Sequence, residues 1–442
     1  MIARFSTFFM IMTSVVAYAQ QPIQLTLERA VEIALEKNSA VIQARNTIEA
    51  KQSSVTSAYG RFLPSVSANG DWLQTSSDIA IVNGIQIPGG ISTTRKSFST
   101  KIDANLTLFD GFANTSSVSQ AKANEASSEH SARRTEQSVI FQTHQLYLNV
   151  VRTFELLNVN EDNLKRSHRQ LERITESNKV GAVALADVYR QRVQVGSDEL
   201  AMIQAQNNYE KAKADLLALI AIDGQSEYQI DVKGIPSDID TAEFHSLNEQ
   251  YSNFSELTQT ALRNRPDYLA SIAGKNSADA GLTVARSGYF PSVTTNASYG
   301  YDNTELSRLT DNKSLSFGVT VRYNLFNGFA TQERTQQADV GRRNADEELR
   351  QSERNVRVDV KKALLDLEAV EKQVRVTQTS VESAEMDRKI AEEKYNLGAG
   401  TLLDQLIANA NYTTALSNKV NAVTGFLLAK KQVEFALGTI TK

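Results

Sequence analysis

The sequence contains no cysteine. That excludes disulfides, thiolate metal sites, a cysteine nucleophile and a lipid anchor carried on cysteine. Histidine is nearly as scarce: His130, His144, His168 and His245 are scattered, with no HExxH or His-x-His spacing. There is no Gly-rich phosphate loop and no GxSxG elbow. Carboxylate pairs such as Glu392-Glu393 sit beside lysine as a solvated helix surface. Nothing here activates a nucleophile or gathers a metal, so neither an enzyme nor a cofactor is expected. Beyond Val16 no run of 18 apolar residues exists, so no transmembrane helix is expected. The net charge of −4 argues against a nucleic-acid partner.

What is present begins with an export signal. Arg4 supplies a positive n-region, residues 5–16 form an apolar stretch too short to span a bilayer, and Ala17-Tyr18-Ala19 has the small-x-small form of a cleavage site. Residues 1–19 are therefore expected to be removed. Three destinations remain for such a chain: a soluble periplasmic protein, a secreted protein, or an outer-membrane barrel, whose alternating strands escape hydropathy averaging.

The chain is written twice. Arg61-Phe62-Leu63-Pro64-Ser65-Val66 returns as Gly288-Tyr289-Phe290-Pro291-Ser292-Val293, and Ala34-Leu35 returns as Ala261-Leu262 at the same spacing. Leu108-Phe109-Asp110-Gly111-Phe112-Ala113 returns as Leu325-Phe326-Asn327-Gly328-Phe329-Ala330. Gly181-Ala182 with Asp187 returns as Gly398-Ala399 with Asp404. Internal repetition of this kind is the first feature to seek, because it fixes the architecture. It predicts a first repeat over 20–222, a polar connector over 223–254 and a second repeat over 255–442. Residues 74–97 are longer than their counterpart and contain Pro-Gly-Gly, so they read as a loop.

Between the motifs the hydrophobic period is two. Phe98, Thr100, Ile102, Ala104, Leu106 and Leu108 share one face of a strand, and Ser99, Lys101, Asp103, Asn105 and Thr107 the other. In the second copy Leu315, Phe317, Val319, Val321, Tyr323 and Leu325 oppose Ser316, Gly318, Thr320, Arg322 and Asn324. Two weaker strands surround Val66 to Trp72 and Val293 to Tyr301. Strands of about eleven residues suit a tilted membrane crossing, and Trp72, Tyr299 and Tyr301 suit its interface. The expected lipid-facing residues include Phe98, Ile102, Leu106, Phe317, Val319 and Val321. Four strands leave two edges, which lipid forbids, and the smallest single-chain barrels need about eight strands. Other copies must complete the sheet.

Pro64 and Pro291 end helices and open strands. The preceding stretches, 27–61 and 256–288, are expected to be helical. After Phe112 and Phe329 the chain turns polar and helical for about 65 residues, on the order of 100 Å. The second rod carries a heptad seam: Val356, Ala363, Val370, Thr377, Ala384 and Ala391 at one position, and Val360, Leu367, Val374, Val381, Arg388 and Tyr395 at the other. The first rod holds Val150, Leu157, Leu164 and Leu171, with weaker partners in Asn160 and Ser167. Each rod is expected to stop at a glycine turn, Gly181 or Gly398 to Gly400, followed by a shorter returning helix.

These residues resemble the TolC-like outer-membrane efflux protein family. The resemblance spans essentially the whole mature chain. It rests on the duplicated order of helix, Pro-strand, strand-LFxG and long hairpin, and on Val180-Gly181 and Tyr395-Asn396-Leu397-Gly398 at the tips. It implies a mixed α and β fold. A homotrimer would enclose a twelve-stranded outer-membrane barrel and a long coiled-coil-like periplasmic tunnel, with the connector at the tunnel's equator. It further implies an exit duct for type I secretion or small-molecule efflux, docked through tip glycines Gly181, Gly398 and Gly400 on a periplasmic adaptor and an inner-membrane transporter. In that family acidic rings and tip contacts close the tunnel. Asp404 matches the first ring position, and Asp187 with Tyr395 matches a lock pair. Ile407 and Gly400 stand where relatives carry a second aspartate and a lock arginine. Thr401 and Asp404 also have capping-box spacing, whereas the first copy keeps Asp187 with Ala184 in the threonine's place. The rival architecture, a soluble periplasmic coiled-coil adaptor, accounts for the hairpins but requires neither the duplication nor the amphipathic strands.

Overall fold

The computed structural model describes residues 23–82, 85–222, 228–232, 239 and 241–441. The export signal expected at 1–19 lies outside them, as does part of the connector.

The chain opens with a short strand, β1 (Ile23–Leu25), and two helices, α1 (Leu27–Lys37) and α2 (Ser39–Gly60). One continuous helix over 27–61 was expected, but Asn38 breaks it with an extended backbone (φ −64°, ψ 128°). Its side chain pays both ends: Oδ1 accepts from the Ala40 N–H at 2.9 Å, and Nδ2 donates to the Leu219 carbonyl at 2.9 Å. That satisfies a helix N-terminus that would otherwise hold open donors. The second copy breaks at the equivalent residue for a different reason. Between α6 (Phe254–Asn264) and α7 (Pro266–Arg286), Arg265 is extended (φ −69°, ψ 117°) because Pro266 disfavours helix before it.

Strands β2 (Ser65–Val82), β3 (Ile85–Phe109), β5 (Ser292–Asn303) and β6 (Lys313–Arg322) form one antiparallel sheet in the order β2-β3-β5-β6. The loop expected over 74–97 is instead a continuation of the β2–β3 ribbon. Its Pro-Gly-Gly does not reverse the chain. Ile79 pairs with Ile91 and Ile81 with Gln86, so four residues, 87–90, stand opposite one, a bulge that accommodates proline and glycine inside a strand. A second irregularity corrects the expected alternation. Between Thr107 and Phe109 the register shifts, and Phe109 rather than Leu108 takes its place beside Val293 and Val321.

Gly111 (φ 68°) and Phe112 (φ 72°) are both left-handed, as are Gly328 (φ 66°) and Phe329 (φ 67°). The repeated Gly-Phe is thus the device that turns strand into rod. A Cβ on Gly111 would lie 2.7 Å from the Ser287 carbonyl, and Phe112 packs edge-on to Phe109 at 5.4 Å. The rods α3 (Ala113–Lys179) and α8 (Ala330–Asn396) are 67 residues each, matching expectation. The returning helices are α4 (Leu185–Leu219) and α9 (Leu402–Leu437). No described helix is long and apolar enough to cross a membrane.

The seam is mostly buried in its upper part. Val356, Val360, Ala363, Leu367 and Val374 are enclosed with Ala422, Phe426, Ala429 and Val433 of α9. Past Val374 it opens. The weak positions of the first rod are polar contacts instead: buried Ser167 accepts from Gln191 Nε2 at 3.0 Å through both its carbonyl and its hydroxyl. Two short elements were not foreseen in the connector region. β4 (Tyr228–Ile230) pairs in parallel with β1, and α5 (Thr241–Gln250) places Phe244 against Phe426. A three-residue strand carries too little pattern to be read from sequence. Here it is held by Tyr147, whose hydroxyl donates to the carbonyls of Asp231 (2.6 Å) and Leu25 (3.2 Å).

Candidate functional site

Two surfaces, at opposite ends of the rods, carry the candidate residues. The first is the sheet. Cross-strand rows read Val66, Ala104, Ala297, Phe317 and then Ala68, Ile102, Tyr299, Leu315 on one face. Leu106, Thr295 and Val319 continue it. No described residue covers these rows: Leu315 is 79% exposed, Phe317 76% and Ile102 52%. An uncovered apolar patch of this extent marks an interaction surface. Trp72 lies on the same face opposite Phe98, both near the far end of the four-stranded part. Tyr299 and Tyr301 share a hydroxyl–hydroxyl hydrogen bond of 2.8 Å.

The opposite face is polar and internally bonded. Asn69 donates to Asp103 at 2.9 Å, Lys101 pairs with Asp103 at 3.4 Å, and Ser99 donates to Asp71 at 3.4 Å. β2 and β6 are the edge strands, each with one unpaired row of backbone groups.

The second surface is the pair of hairpin tips. Gly181 (φ 75°) and Gly398 (φ 72°) close the rods in the same way. Ala182 N–H donates to Ser177 O and Gly181 N–H to Asn178 O, both at 2.9 Å; Ala399 N–H donates to Lys394 O at 2.9 Å and Gly398 N–H to Tyr395 O at 3.1 Å. This is the paired-bond helix stop that needs a left-handed residue, hence glycine. Gly400 is different. Its constraint is space, since a Cβ would sit 3.0 Å from Lys394 Cβ.

Asp404 completes a capping box. Its carboxylate accepts from the Thr401 N–H (3.0 Å) and hydroxyl (2.7 Å), while its own N–H donates to Thr401 Oγ1 at 3.2 Å. The bonds from Thr401 hold the carboxyl below its usual range. This contribution to the fold is therefore complete above ordinary carboxylate pH values and fades as pH falls through the lowered one. Asp187 has no such cap. It pairs with Arg190 at 3.1 Å. The Tyr395 hydroxyl is buried with no hydrogen-bond partner among the described residues, and burial, with the charge of Asp187 second, pushes its pKa up. Asp187 and Tyr395 thus feel each other without a direct bond. The two tips are joined by a small apolar cluster of Ile174, Val188 and Leu402, against which Tyr395 packs.

Just above the tips lies a group that sequence reasoning missed. Arg173 of α3 reaches Asn396 (3.0 Å) and Glu392 (3.3 Å) of α8. Gln170 donates to Gln405 of α9 at 2.9 Å. The one available signal was Arg388, which occupies a seam position that is apolar in the upper rod. Among the described residues no group of His, Asp and Glu is arranged to hold a metal ion.

The family described as "Outer membrane efflux protein" matches residues 30–221 and 257–439, one match for each repeat. The chain is 25% identical over 418 residues to outer membrane protein TolC of Vibrio cholerae, spanning 92% of this chain and 90% of that one. It is 23% identical over 341 residues to the outer membrane efflux protein BepC of Brucella suis, spanning 77% and 72%. Among solved structures, the CmeC outer membrane channel of Campylobacter jejuni superposes with a TM-score of 0.79 at 19% identity, over 93% of this chain and 85% of that one. The open state of the MtrE outer membrane channel of Neisseria gonorrhoeae gives 0.76 at 18% identity, over 94% and 91%.

Proposed function

This chain belongs to the outer membrane efflux protein family, and from that premise we propose that three copies close a twelve-stranded barrel and continue it as a periplasmic tunnel. It is an outer-membrane exit duct and not an enzyme. The observation that supports the trimer is the four-stranded sheet with an uncovered apolar face and two open edges. Lipid tolerates the face and not the edges, so neighbouring chains must pair them. An adaptor in solution would have no use for such a face. Mass measurement of the protein in mild detergent should give three chains, and the same preparation should conduct ions across planar bilayers. A stable, non-conducting monomer overturns the reading.

In this assembly the lipid-facing residues are Phe98, Ile102, Leu106, Phe317, Val319 and Val321. The tips, with Gly181, Gly398 and Gly400, meet a periplasmic adaptor that couples the duct to an inner-membrane transporter. The cargo is a small molecule or an unfolded secreted protein.

The tips also form the aperture. Asp404 is a cap within one chain. In the trimer three copies of it converge on the axis, repel one another and attract cations into the constriction. With Ile407 exposed where a second acid would stand, one ring forms. An asparagine amide oxygen can still accept from the Thr401 N–H and hydroxyl, so Asp404→Asn removes the charge while keeping an acceptor in the capping box. Single-channel recording should show lower cation selectivity and weaker divalent block in Asp404→Asn, whereas Asp187→Asn should change how readily the pore opens. Unaltered selectivity and block in Asp404→Asn would leave Asp404 a cap alone.

A further inference from the structure

Above the tips, α3, α8 and α9 line a half-open pocket of about 260 Å³ with an unusual charge balance. Arg166, Arg169, Arg173 and Arg388 line it against one carboxylate, Glu392, an excess of three positive charges. Glu392 is already shared between Arg173 (3.3 Å) and Arg388 (3.2 Å). The next carboxylate that acts on Arg166, Asp162, is engaged by Lys165 at 3.4 Å.

The guanidinium groups of Arg166 and Arg388 are incompletely satisfied. Arg166 Nε and Arg388 Nε are buried with no hydrogen-bond partner among the described residues. Among the described residues Arg166 otherwise donates to Asn163 (3.4 Å) and Thr413 (3.5 Å), both long. Arg169 makes one bond, from Nε to the Lys165 carbonyl of its own helix at 3.3 Å. Arg166 and Arg388 both approach the ring of Tyr412, at 5.5 and 5.3 Å from its centroid. Two like charges are thereby held on one aromatic, and Arg388 is 18% exposed. Burial and then the charge of Arg388 lower the pKa of Arg166. Buried charges normally carry partners, and a fork of guanidinium N–H groups matches the oxygens of a tetrahedral oxyanion.

We propose that this arginine-lined pocket is a binding site for a small tetrahedral oxyanion, inorganic phosphate or sulfate, that fastens the first hairpin to the second near their tips. The donors come from both repeats: Arg166 and Arg169 from α3, Arg388 from α8. The site lies about 80 Å along α3 from the sheet, by helix rise, which separates it from the outer-membrane headgroups. An anion there removes the repulsion between the rods and adds bonds across them.

The test uses the full-length protein in detergent. Its thermal midpoint, followed by helical circular dichroism, is measured against inorganic phosphate, sodium acetate and sodium chloride at matched ionic strength. Phosphate should raise the midpoint by several degrees and saturate, with acetate and chloride well below it. Arg166→Gln should abolish the phosphate increment. Arg169→Gln, which gives up a single bond within its own helix and so keeps the fold, should reduce it. Equal responses to phosphate and chloride, a phosphate increment retained in both variants, or an acetate response equal to that of phosphate would each overturn the proposal.

Discussion

Ile102→Arg and Val319→Arg are expected to keep most of the protein from assembling in the outer membrane. Ile102 sits in the row of Ala68, Tyr299 and Leu315, and Val319 in the row of Leu106 and Thr295. Ile102 lies inside the four-stranded part and Val319 one row beyond the start of β2, both on the uncovered face. A lipid-facing arginine near the bilayer midplane costs about 2–4 kcal/mol, roughly a 30- to 1,000-fold shift in the insertion equilibrium at 1.4 kcal/mol per factor of ten. Thr320 is the matched control. It is the next residue along β6, and it pairs with Thr294 on the polar face. Thr320→Arg should assemble like the parent chain. The measurement is the amount of trimer recovered from the outer-membrane fraction. Equal recovery of Ile102→Arg and Thr320→Arg would show that the sheet faces are assigned the wrong way round.

The second large effect is expected at Tyr147, far from both candidate surfaces. Tyr147 is 1% exposed, and its ring sits in the cluster with Leu25, Val150, Leu216 and Ile230. Removing the ring in Tyr147→Ala should cost about 3–5 kcal/mol, the range for losing a buried aromatic. Tyr147→Phe keeps the ring and loses only the one hydroxyl proton shared between the Asp231 and Leu25 carbonyls, about 0.5–1.5 kcal/mol. Urea unfolding of the detergent-solubilised protein, followed by helical signal, separates the two. Destabilisation by Phe as large as by Ala would mean that the hydroxyl, and not the packed ring, holds the β1–β4 clamp to α3.

Much of the architecture was legible because it is periodic. A two-residue period wrote β3 and β6, a seven-residue period wrote α8, and Gly-Phe and Gly-Ala marked the same reversals in both halves. The failures have local physical causes. Pro-Gly-Gly at 88–90 has the composition of a turn, yet a bulge in a paired ribbon tolerates the same residues, and only the partner strand distinguishes the two. The stretch over 27–61 has a helical pattern throughout, but Asn38 finds the Leu219 carbonyl, 181 residues away, and the helix breaks there. Asp404 was readable as a cap from its spacing to Thr401, because that bond spans one turn. The heptad put Tyr395 on the seam, but that it packs beside Ile174 and Val188 of the other hairpin is not written in that period.

The sequence by itself determined the duplication, the rods, the two-faced strands and the glycine stops, since each depends on contacts within a few residues and therefore leaves a repeating mark. Tertiary structure alone decided which side chains from different helices meet. The arginines above the tips, the Gln170–Gln405 bond and the Tyr147 clamp join residues separated by 84 to 247 positions. A contact of that span depends on how helices are placed side by side, and spacing along the chain carries no record of it.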